Sequence, residues 1–95
     1  MSEILDFLKS RFRGGEPAEV RTFDLYINNY LVRVEVHDHG IDAGSLRYSA
    51  HAFSPDIPEA DRVMNTRGES LGNPDGNLRM ALENVHWNVF ENRDD

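Results

Sequence analysis

The sequence predicts a single α+β domain with an N-terminal helix, an antiparallel sheet of three or four strands, and a long C-terminal helix packed across one sheet face. Three observations predict it. Apolar residues recur at helical spacing from Ile4 to Phe12 and again from Leu78 to Val89, and a period-two stretch runs from Val20 to Val36 between them. A chain of 95 residues buries enough surface for one modest core and not for two. Hydrophobic residues make up 39% and charged residues 28%, the balance of a folded domain and not of a disordered tail.

In the first helix Leu5, Leu8 and Phe12 share a stripe, with Ile4 beside them. Ser2 is placed to cap its start, Glu3 and Asp6 lie in the first turn, Lys9, Arg11 and Arg13 complement the dipole at the far end, and Gly14-Gly15 stops it. Residues 16–19 are a connector. The next segment reads as a β-hairpin around Asn28-Asn29, a pair that tolerates the positive φ of a two-residue type I′ turn. With Ile27 opposite Tyr30, one face pairs Leu25 with Val32 and Phe23 with Val34. The other face pairs Tyr26 with Leu31, Asp24 with Arg33 and Thr22 with Glu35, and a slip of one residue destroys both patterns.

Residues 37–45 form a polar loop punctuated by Gly40 and Gly44, and Leu46 to Phe53 follows as a third strand with Tyr48, Ala50 and Ala52 on one side. The small residues imply a helix packed closely against them. Residues 54–61 hold two prolines and three acids and read as a loop; 62–66 is a short fourth strand or edge; 67–76 is dense in turn formers. The last element is a helix from about Pro74 to Asn92, with Asn73 as N-cap and Asp75 in its first turn. Its stripe of Leu78, Ala81, Leu82, Val85 and Val89 faces the sheet.

Several chemistries are narrowed or excluded at this level. There is no Cys, which rules out disulfides, thiolate nucleophiles and thiolate-bound metal, and makes a reducing cytoplasm the expected compartment. No export signal or membrane span is expected from the short apolar runs and the acidic start. Ten basic against seventeen acidic side chains give a net charge of −7, so direct nucleic-acid binding is not expected, although Arg62, Arg67 and Arg79 form a local basic group. The serines lack a G-x-S-x-G elbow, and Gly68, Gly72 and Gly76 lack the Lys and hydroxyl of a phosphate-binding loop, so neither catalysis nor a cofactor is expected. His37, His39 and His51 are the candidate metal ligands, since His37 and His39 alternate across Asp38 and His51 lies on the next strand. Their spacing matches no established zinc motif, and polar residues at a strand end and on a solvated sheet face account for them, so no metal is expected.

The surface with most information is the final helix. At 100° per residue from Leu78, Trp87 falls near about 180° and Met80 near about 200°, both opposite the buried stripe. Either they form a contact site for a partner, or the N-terminal helix or the 54–72 segment folds over them. Acids gather in two loops, Asp56, Glu59 and Asp61 in one and Glu35, Asp38 and Asp42 around the other, where they would steer a basic partner.

Two stretches resemble the antitoxins of the HicB-like family, a branch of the double-stranded-RNA-binding-like α-β-β-β-α fold. Residues 48–58, ending Ser54-Pro55-Asp56-Ile57-Pro58, resemble the strand and "PD-aliphatic-P" turn of that family, and Ala81-Leu82-Glu83-Asn84-Val85 resembles the "ALxNA" core of its following helix. Glu59-Ala60 stands where the family has Gly-Cys. The resemblance implies an acidic module that binds a small basic protein and is not an enzyme. The expectation is therefore a non-enzymatic interaction domain that binds a basic partner or self-associates through the C-terminal helix, with Met80, Trp87, Asp56, Glu59 and Asp61 as contact residues.

Overall fold

The structure is a computed structural model and describes residues 3–11 and 17–91. Helix α1 spans Glu3–Arg11. The expected Ser2 cap and the stop at Arg13 and Gly14-Gly15 lie outside the described residues. Strands β1 (Glu19–Ile27), β2 (Tyr30–Asp38), β3 (Tyr48–Phe53), β4 (Val63–Met64) and β5 (Gly68–Leu71) form one sheet in the order β1-β2-β3-β5-β4. The C-terminal segment forms two short helices, α2 (Leu78–Glu83) and α3 (Asn88–Glu91).

The β1–β2 hairpin has the register its side chains require, with Ile27 opposite Tyr30, Phe23 opposite Val34 and Asp24 opposite Arg33. Asn28 and Asn29 both take positive φ, 51° and 70°, the type I′ geometry whose twist matches the flanking strands. Strand β2 pairs with β3 through Glu35 opposite His51 and Val36 opposite Ala50. Two short 3-10 turns separated by a kink at Gly44 occupy Ile41–Leu46 in the connection, so β3 begins at Tyr48.

Two sequence expectations are corrected. The sheet has five strands and is mixed, because β4 pairs parallel with β5 while all other pairs are antiparallel. The turn-rich stretch around Gly68 hides β5, which pairs with β3 through His51 opposite Leu71 and Phe53 opposite Glu69. The long C-terminal helix is absent, which overturns the α-β-β-β-α order. Its N-cap is Asn77, whose side chain accepts the Met80 N–H at 3.1 Å, and not Asn73. Asp75 instead pairs its backbone with Tyr48 in a β-bridge, so residues 73–76 run alongside the start of β3.

The break at residues 84–87 has a specific cause. A continuous helix requires the His86 N–H to bond the Leu82 carbonyl. Here the His86 N–H goes to Ser70 Oγ at 2.8 Å, and the Leu82 carbonyl accepts the Trp87 indole N–H at 2.8 Å. Both ends of the helical bond thus find tertiary or side-chain partners. Gly72 makes room for this joint, since a Cβ there would lie 2.8 Å from the Val85 nitrogen and 2.9 Å from the Asn84 carbonyl carbon.

The core lies between the C-terminal segment and one face of the sheet. Val32, Val34, Ala50, Ala52, Val85 and Phe90 are buried together, with Ile27, Val36, Leu82, Trp87 and Val89 packed around them. Small Ala50 and Ala52 on β3 let α2 sit close, as the sequence implied. Full burial of each larger apolar side chain here contributes roughly 1.5–3 kcal/mol.

Candidate functional site

The sheet has one covered and one open face. Side chains of even residues on β2 and β3, Val32, Val34, Ala50 and Ala52, are buried beneath the C-terminal helices. On the opposite face Arg33, Glu35, His37, His51, Phe53 and Glu69 are all partly exposed. One end of the sheet closes with the two-residue β4. At the other end stands β1, nine residues long, and among the described residues no strand pairs with its outer edge.

Hairpin geometry dictates which backbone groups that edge presents. Ile27 and Tyr30 flank the two-residue turn and form a hydrogen-bonded pair, so the pairs alternate back along the strand. Ile27, Leu25, Phe23, Arg21 and Glu19 therefore bond to β2. The N–H and C=O groups of Tyr26, Asp24, Thr22 and Val20 point away from the sheet.

Natural sheets blunt such edges with Lys, Pro, bulges or short strands. Strand β1 has no Lys or Pro, and its pairing with β2 runs one-to-one from Glu19 to Ile27 without a bulge. It also presents large apolar side chains on both faces: Phe23 is 53% and Leu25 36% exposed on the core side, Val20 48% and Tyr26 73% on the open side. Phe23 and Leu25 lie on the apolar face of the hairpin, but α2 contacts β3 and α3 contacts β5, and both side chains stay partly exposed.

Charge near the edge is balanced. Arg33 donates two hydrogen bonds to Asp24, at 2.8 and 3.2 Å, and this pairing holds the Asp24 carboxyl below its usual range. Arg21 lies 3.3 Å from Glu19.

The open face carries a His–carboxylate cluster. His51 sits between two carboxylates, its Nε2 2.6 Å from Glu69 and its Nδ1 3.5 Å from Glu35. His37 stands 3.9 Å from the same Glu35 oxygen, with its ring 6.4 Å from that of His39. A charged His51 donates to both carboxylates, whereas a neutral one donates at only one nitrogen. The three histidines expected as metal candidates are thus placed near one another, but His51 is engaged by Glu69 and Glu35. Among the described residues no group of three or more His, Asp or Glu is arranged to hold a metal ion.

The remaining sequence-predicted contact residues are not brought together. Asp56, Glu59 and Asp61 are exposed in the connection that leads from β3 to β4, with β2 between β3 and β1 in the sheet. Met80 is 45% exposed on α2. Trp87 is on no outward stripe: the broken helix turns it inward, its indole N–H bonds the Leu82 carbonyl, and its ring lies 6.3 Å from that of Phe90. Asp38, assigned to an acidic patch, is matched by Arg47 at 2.9 Å and receives the Gly40 N–H at 2.9 Å, which pins the β2–β3 loop. A hollow of about 170 Å³ lined by Glu19, Arg21, Val36, Asp38, Tyr48 and Leu78 falls short of the roughly 300–1,000 Å³ usual for small-molecule sites.

No family model, curated protein or solved structure matches the chain. The free edge escaped sequence reasoning because strand order is a tertiary property. Residues 19–27 lack the Lys and Pro that usually mark an edge strand, so their composition gave no sign of it.

Proposed function

We propose that this domain is a small, non-enzymatic protein-interaction module that binds through the free edge of β1, with the cytoplasm as its setting. The observation that carries the proposal is a nine-residue edge strand with outward main-chain groups, four exposed apolar side chains and no Lys, Pro or bulge along it. Strand addition at such an edge draws affinity from main-chain hydrogen bonds and specificity from alternate side chains. A long C-terminal helix does not carry the interaction, because residues 78–91 form two short helices and Trp87 packs, partly buried, against the core. A basic partner steered by Asp56, Glu59 and Asp61 is the second reading, favoured by the exposure of all three acids in one connection.

Thr22→Pro is the discriminating variant. Thr22 directs its N–H away from β2, so proline removes an edge donor without breaking the hairpin ladder. Tagged wild type and Thr22→Pro, matched for folding by circular dichroism, are taken through the same cross-linking pull-down from source cells, with an untagged copy of the chain supplied. A protein bound by the wild type and lost from Thr22→Pro is the expected outcome. Identical catches overturn the proposal, and a catch released by salt from both baits supports the acidic-loop reading instead.

A further inference from the structure

We infer that the strand which adds to β1 is β1 of a second copy, antiparallel about a two-fold axis at Phe23, so that two five-stranded sheets join into one. This rests on the edge reading above and names its partner. Two features of the strand single out a second copy.

The first is self-complementarity in one register. Faces are preserved in an antiparallel sheet, so the axis must pass through a residue position. Phe23 is the midpoint of Glu19–Ile27, and only an axis there overlaps all nine residues. It sets Val20 against Tyr26 and Thr22 against Asp24 on the open face, and Phe23 against Phe23, Arg21 against Leu25 and Glu19 against Ile27 on the other. The outward groups of Val20, Thr22, Asp24 and Tyr26 then all find partners, about eight main-chain hydrogen bonds in total. No charge faces its like. An axis at Asp24 opposes two carboxylates and one at Arg21 two guanidiniums, both destabilising. Axes at Thr22 and Leu25 shorten the overlap.

The second is charge. The chain carries −7, yet at this edge Glu19 and Asp24 are balanced by Arg21 and Arg33. The exposed acids of residues 56–61 lie in the connection from β3 to β4, and β3 itself is two strand spacings from β1, about 10 Å and beyond the Debye length of about 8 Å. A locally neutral, apolar edge on an acidic chain suits an identical edge better than a basic partner.

The register is tested by disulfide trapping, which the absence of native Cys makes clean. With the axis at Phe23, Arg21 and Leu25 of opposite copies form a non-hydrogen-bonded pair with Cα atoms about 4.5 Å apart, within bridging range. Leu25 of one copy and Leu25 of the other stand about 14 Å apart, beyond it. Under mild oxidation an equimolar mixture of Arg21→Cys and Leu25→Cys is expected to give at least about tenfold more covalent dimer than either variant alone. Sedimentation of wild type at about 100 μM, where a micromolar dimer is nearly saturated, should give twice the 10.9 kDa chain mass. Thr22→Pro should sediment as a monomer. A monomeric wild type, a dimer that persists in Thr22→Pro, or either cysteine variant cross-linking alone as well as the mixture overturns the inference. If wild type is monomeric while Thr22→Pro still loses a cellular partner, self-pairing fails and the edge reading stands. If Thr22→Pro neither loses a partner nor changes the assembly, both fail.

Discussion

Two buried serines in this small domain should respond to alanine in opposite ways. Ser70 on β5 is fully buried, donates its hydroxyl to Asn65 Oδ1 at 2.7 Å, and accepts the His86 N–H at 2.8 Å. Ser54, just beyond β3, is 1% exposed, and its hydroxyl has no hydrogen-bond partner among the described residues. Ser70→Ala removes two hydrogen bonds, each contributing about 1 kcal/mol net, and strands the His86 N–H, so about 2 kcal/mol is lost. For a domain of this size that corresponds to a fall of roughly 8–16 °C in Tm. Ser54→Ala removes an unsatisfied buried group of nearly the same shape and should be neutral or stabilising by up to about 1 kcal/mol. Urea and thermal unfolding followed by far-UV circular dichroism measure both, and Trp87 fluorescence reports the joint that Ser70 anchors. A red-shifted Trp87 emission is expected for Ser70→Ala alone. Equal destabilisation by the two variants, or an unchanged Ser70→Ala, would refute the account of why the C-terminal helix breaks.

The inward Trp87 predicts that Trp87→Ala destabilises the fold by about 3 kcal/mol as a core deletion; a variant with an unchanged urea midpoint would return Trp87 to the surface. The Asp38 carboxyl is held below its usual range by its hydrogen bonds from Arg47, opposed by burial and aided by the Gly40 N–H. A carboxyl depressed by folding contributes stability that is complete above the unfolded value of about 3.9 and is lost as pH falls through the lower folded value. Urea midpoints of the wild type should therefore drop more steeply than those of Asp38→Asn between about pH 4 and pH 2. Parallel curves would show that the Asp38–Arg47 pair contributes nothing to the acid limb.

The hairpin was legible in the sequence because all its determinants are local. Asn28-Asn29 accept positive φ, the period of two assigns the faces, and Asp24 with Arg33 fixes the register; the structure has each of these. Strand β5 was not legible, since Gly68-Glu69-Ser70-Leu71 has the composition of a turn and becomes a strand only by pairing with β3. Of the C-terminal stripe, Ala81 and Val85 are buried and Leu82 and Val89 pack against the core, whereas Leu78 is 43% exposed and the buried Phe90 lies outside the stripe. Its continuity was not legible, because helical periodicity persists across a break at which the bond from the His86 N–H to the Leu82 carbonyl is given up. The His86 N–H turns to Ser70 Oγ, sixteen residues upstream, and the Leu82 carbonyl accepts the Trp87 indole N–H together with the Val85 N–H.

The candidate site divides in the same way. Sequence alone determined the residues of β1, their alternation between faces and the acidity of the chain, because these depend on neighbours along the backbone. Only the tertiary structure decided that β1 stands at an edge, that the helices cover the far part of the sheet, and that Trp87 faces inward. Those outcomes depend on which strand finds β3 and where the C-terminal segment comes to rest, and contacts between residues so distant in the chain leave no period in the sequence.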